Sequence, residues 1–147
     1  MVLIKFIIGV GVIVIALGVW FTFAPLGRDT GTDSSIAPID AAPILNVNLP
    51  DTLTQNAQIG QRAFEANCAS CHGINAAGLD GIAPPLVHII YEPSHHADES
   101  FQRAVTLGVR AHHWPFGDMP VVEGLTRGDV TLIIAYIREL QRANGIN

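Results

Sequence analysis

Cys68-Ala69-Ser70-Cys71-His72 is the stretch on which the reading of this chain turns. Cys68 and Cys71 are the only cysteines among 147 residues. Two cysteines do not make the disulfide framework of a small secreted fold. Residues 54–67 read as a helix that runs directly into them. On a helical turn, positions i and i+3 share one face, so both sulfurs point the same way and His72 follows at once. A structural zinc site needs four ligands, and no second cysteine pair exists to complete one. His95, His96, His112 and His113 can in principle supply the missing ligands. A thioredoxin-like dithiol would want a βαβ context, which this sequence lacks.

Around that stretch, residues 53–147 read as one all-α domain of short helices and loops, with no strand alternation and no internal repeat. Residues 99–107 form a second helix, with Asp98 as its N-cap and Gly108 as its stop. Thr126-Arg127-Gly128-Asp129 resembles a capping box with Asp in the place of Glu. Val130, Ile133, Ile134, Ile137 and Leu140 then recur at helical spacing, and Gly145 ends the run. So few helices bury little apolar surface, and such a domain often needs a staple.

Upstream the composition changes twice. Residues 1–26 read as a transmembrane anchor: from Phe6 to Ala24 no residue is charged. With its flanks the run reaches the ~20 residues a bilayer core requires. It contributes to the 49% hydrophobic content and the mean hydropathy of +0.36. Lys5 precedes the run, and Asp29 and Asp33 follow it against Arg28 alone. The positive-inside rule therefore places the N-terminus in the cytoplasm and the rest outside. A cleaved signal peptide is the competing reading, but Pro25 blocks cleavage after Ala24 and the Ala41-Ala42 pair lies far downstream. Residues 27–52 are rich in Ser, Thr, Asp, Ala and Pro and read as a linker. The alternative is that Ile44 to Leu49 dock on the domain as an extended strand.

C-x-x-C-H is the spacing of c-type haem attachment. Both sulfurs reach the two vinyl groups on one porphyrin edge, and the histidine that follows can turn its imidazole toward the iron. A covalently held haem c would be the staple the domain needs. Gly60 and Phe64 on the first helix, Ala83-Pro84-Pro85-Leu86 downstream, and Met119-Pro120 ahead of a helix carrying Tyr136 complete a pattern. In that order these features resemble the class I cytochromes c, the monohaem family with histidine and methionine ligands. The resemblance covers the domain but neither anchor nor linker.

It implies that His72 is the proximal ligand and Met119 the sixth. It implies that the Pro84 carbonyl accepts the second ring N–H of His72, that Leu86 packs on the ring, and that Gly60 lets the first helix approach Tyr136. Ala83 stands where the family has glycine. Arg110 and Trp114 are candidates for the haem propionates, or else an exposed charge and a core side chain. His88 to Glu99 maps onto nothing in the family. His95, His96, His112 and His113 read as solvated loop histidines, although His112 and His113 lie close enough to Met119 to compete for iron.

A haem with both axial positions filled has no open site for substrate, which leaves one-electron transfer. The expected partners are redox proteins of a membrane electron-transport chain, with the haem domain on the periplasmic side of a bacterial inner membrane. A fixed electron-transfer subunit of a larger membrane oxidoreductase is the alternative. A haem enzyme or gas sensor, in which Met119 leaves the iron, is a third reading. The net charge of −5 argues against nucleic acid as a partner. From residue 53 onward six arginines and no lysine face nine acids. The chain thus lacks the lysine ring by which soluble members of the family steer to acidic partners.

Overall fold

The computed structural model describes residues 41–147. The expected anchor, residues 1–26, and the linker up to residue 40 lie outside the described residues. Among the described residues no helix is long and apolar enough to cross a membrane. Four α-helices follow in order: α1 (Gln55–Asn67), α2 (Ala69–His72), α3 (Asp98–Leu107) and α4 (Arg127–Ala143). Two 3₁₀ turns, Ile74–Ala76 and Ile89–Tyr91, lie between them. The described residues form no named strand, only isolated bridges.

Each helix starts where its sequence supplies a cap or a charge. Thr54 caps α1: its Oγ1 accepts from the Ala57 N–H at 3.4 Å. The same hydroxyl donates to Glu139 at 2.5 Å, and the Thr54 N–H donates to the other carboxylate oxygen at 3.1 Å. The start of α1 is thereby tied to α4. The Thr126–Asp129 capping box forms at α4 as the sequence indicates. The Thr126 hydroxyl and N–H hold the Asp129 carboxyl below the ordinary carboxylate range. At α3 the expectation is corrected. Ala97 is the N-cap and Asp98 is the first helical residue. Its carboxylate accepts from Arg138 Nε at 2.9 Å, and its charge complements the helix N-terminus.

α1 and α4 cross in direct backbone contact. A Cβ built on Gly60 would lie 1.8 Å from the Leu132 carbonyl oxygen. The close approach is therefore to Leu132 and Ile133, one turn ahead of Tyr136. It lets Phe64 reach Tyr136, with ring centroids 5.7 Å apart. Ala57, Phe64, Ile133, Tyr136, Ile137 and Leu140 form the main core. Val105, Val130 and Ile134 form a smaller cluster that joins α3 to α4.

Two segments outside the long helices are held firmly. In the stretch expected as linker, Leu45 N–H donates to Ala77 O at 3.1 Å and Pro43 bridges Leu79. Asn48 exchanges two hydrogen bonds with the Asn144 side chain, at 2.9 and 2.8 Å. Val47 and Leu53 pack on the core. The second segment is His88 to Glu99, which α4 grips from below. Arg138, only 7% exposed, donates to Tyr91 O at 2.6 Å and His96 O at 2.5 Å. Gln141 donates to Leu86 O at 2.8 Å and Tyr91 O at 3.0 Å. These bonds satisfy carbonyls that no helix or sheet would otherwise pair.

Candidate functional site

The end of α1 and the whole of α2 carry Cys68, Cys71 and His72 to the wall of one cavity of about 600 Å³. Phe64, Leu86, Phe101, Val105, Ile134 and Ile137 give that wall its apolar character. The volume lies within the ~300–1,000 Å³ usual for cofactor sites. Neither cysteine is in a disulfide. Burial, with Cys71 adding to it, pushes the Cys68 thiol up to about 11. A redox dithiol instead uses a thiol lowered toward neutrality.

His72 is buried, and its Nδ1 lies 2.8 Å from the Pro84 carbonyl oxygen. A carbonyl only accepts, so Nδ1 carries the hydrogen and Nε2 is the free nitrogen, in a side chain that lines the cavity. The hydrogen bond fixes the tautomer that a metal ligand requires. Burial lowers the His72 pKa, partly opposed by the Pro84 bond. The ring is thus kept neutral and able to coordinate.

Met119 enters the same cavity from a separate loop. Its backbone is clamped to Val109 by two hydrogen bonds of 2.9 Å. Gly108 makes this possible: its φ is +71°, and a Cβ there would lie 2.6 Å from Met119 O. The loop is closed again by the Asp118 carboxylate, which accepts from the Ala111 N–H at 2.8 Å.

Trp114 lines the cavity, and its Nε1 is a buried donor with no partner. An orphaned buried N–H is costly unless a bound group supplies an acceptor. The Tyr91 hydroxyl is close enough for Trp114 to oppose its burial-driven rise in pKa, yet the pair forms no hydrogen bond. Arg110 does not join the site. Val109 and Ala111 on either side of it line the cavity, and Arg110 is exposed. Arg103 on α3 reaches the cavity instead. No sequence signal marked it, because its position follows from how α3 packs on α4.

The residues present fit a haem on their chemistry. Two thiols on one helical turn, a tautomer-fixed imidazole and an unpaired donor all meet one apolar cavity. Fold and site together define a c-type cytochrome. The chain matches the cytochrome c family model over residues 57–141, and it belongs to the cytochrome c family. No curated protein matches the chain. Its cofactor is covalently attached haem c, and its two cysteines allow a single attachment site. Its general function is electron transfer, as the members of this family are generally electron carriers.

Proposed function

We propose that this chain is a membrane-tethered monohaem carrier, with His72 and Met119 as the two axial ligands. It passes single electrons between redox complexes on the periplasmic side of a bacterial inner membrane. The observation that carries the reading is that His72 and Met119 line one cavity from separate, hydrogen-bonded segments. With both positions taken, no site is left for substrate. When bound, haem c supplies the one-electron ferric/ferrous couple. The chain's own part is to hold His72 by the Pro84 carbonyl, hold Met119 by the Val109 clamp, and keep water from the apolar wall. Rigid ligands change little between oxidation states, which favours fast transfer.

Met119→Ala is expected to keep the covalent haem but make the reduced protein bind carbon monoxide at neutral pH. An unchanged spectrum in that variant would remove Met119 from the ligand set.

The tether rests on the uncharged run Phe6 to Ala24. It would replace steering by lysines with proximity, since short flexible linkers raise effective concentration to about the mM range. Gently solubilised membranes run on a native gel, stained for haem and probed for this chain, test the arrangement. A haem band near the chain's own mass plus detergent is expected. A much larger band would make the chain a built-in subunit of an oxidoreductase, and haem in the soluble fraction would remove the tether.

A further inference from the structure

Four histidines that electron transfer does not use meet at one place. His95 and His96 lie on the loop that Arg138 grips, and His112 and His113 lie on the loop clamped by Val109 and Met119. The His95 ring centroid is 4.8 Å from that of His96 and 5.4 Å from that of His113. The His96 and His113 centroids are 5.4 Å apart, and His112 lies 4.2 Å from His113. One ring nitrogen from each of His95, His96 and His113 falls within 4.8 Å of the other two.

We propose that His95, His96 and His113 form a binding site for one divalent transition-metal ion of the copper(II)/zinc(II) class, held through imidazole nitrogens at the rim of the haem cavity. Water takes the fourth position.

The donor type fits. Neutral imidazole suits copper and zinc, and the Irving–Williams order puts copper(II) ahead for identical donors. The tautomers fit as well. His96 Nδ1 lies 2.6 Å from Ile90 O, so it carries the hydrogen and Nε2 is free. His112 Nδ1 donates in the same way to Arg110 O at 2.8 Å. Metal-bound histidines commonly use the second nitrogen in this manner.

The geometry needs only a small closure. Metal–nitrogen bonds of about 2.0–2.1 Å in a tetrahedron put the nitrogens about 3.3 Å apart. The His95 and His113 rings are exposed and can turn to reach that spacing. The backbone beneath does not have to move. His95 and His96 N–H groups both donate to Glu92 O, at 3.1 and 2.7 Å. Two loops fixed independently, each presenting imidazoles to the same point, make a preorganised site.

The test uses the full-length holoprotein, stripped with a chelator and titrated by calorimetry with copper(II) sulfate and, separately, zinc(II) sulfate. One equivalent of either ion is expected to bind, copper more tightly. The copper(II) resonance spectrum is expected to carry hyperfine structure from imidazole nitrogens. His95→Gln combined with His113→Gln should weaken binding by more than about a hundredfold, beyond the ~10–100-fold that loss of a merely orienting partner costs. His95→Gln alone, at an exposed ring, should weaken it less while leaving the haem spectrum unchanged. Absence of stoichiometric binding, or equal affinity in the double variant, would overturn the site.

Discussion

Replacing both attachment residues, Cys68→Ala with Cys71→Ala, is expected to leave the cell almost without holoprotein. Both thiols line a cavity of about 600 Å³ whose wall is mostly apolar. At ~24 cal/mol per Å³ a dry void of that size would cost ~14 kcal/mol, the scale of a whole domain's ~5–15 kcal/mol. Water entry and collapse would reduce that cost, but only by undoing the packing between α1, α3 and α4. Without thioether bonds, only non-covalent contacts in the apolar cavity and the axial ligands proposed above would retain the group against dilution. Single variants keep one bond and should accumulate at an intermediate level. Haem staining after denaturing electrophoresis, normalised to the chain, reads the result directly. Wild-type haem content in the double variant would refute covalent attachment at these positions.

Arg138→Met should be the most damaging substitution that touches no cofactor residue. The guanidinium donates to Asp98 at 2.9 Å, Tyr91 O at 2.6 Å, Gln141 Oε1 at 2.7 Å and His96 O at 2.5 Å. It also stacks over Phe101, 5.0 Å from the ring centroid. Methionine replaces most of the volume but none of the donors, so several buried acceptors lose their partner. Leaving a buried acceptor without its donor costs about 1–3 kcal/mol each. In a domain of this size each kcal/mol lowers Tm by ~4–8 °C. Arg138→Lys should recover only part, because an ammonium cannot present the planar fork that reaches four acceptors. Asp98→Asn is the contrasting control. The Asp98 side chain is 69% exposed, and such pairs contribute ~1 kcal/mol or less. Thermal unfolding of the holoprotein followed by circular dichroism separates these outcomes. Equal Tm for Arg138→Met and wild type would show that the 88–99 loop is held by something else.

The two predictions differ in how they could be found. Cys68, Cys71 and His72 form a local constellation, and adjacency in the chain places them on one turn whatever the rest does. The α4 helix is legible for the same reason, since its capping box and apolar stripe are contained within Thr126–Leu140. Gly60 at the crossing of α1 and α4 and the Pro84 carbonyl on His72 were legible through resemblance, because one family pattern places both. Arg138 carried no such mark. An arginine on an amphipathic helix reads as a solvated charge, and only the loop laid over it makes it a buried clamp.

By itself, then, the sequence determined the covalent attachment site, the all-helical class and the two longest helices, α1 and α4. Each rests on interactions between residues a few positions apart. Only the tertiary structure decided the rest. It put the α3 cap at Ala97 and paired the Asp98 carboxylate with Arg138. It laid residues 42–48 along the domain through bonds to Ala77 and Asn144. It left Arg110 exposed, and it brought His95, His96 and His113 from two loops to one point. Those outcomes depend on which distant groups meet, and distance along a chain says nothing about meeting until the helices have packed.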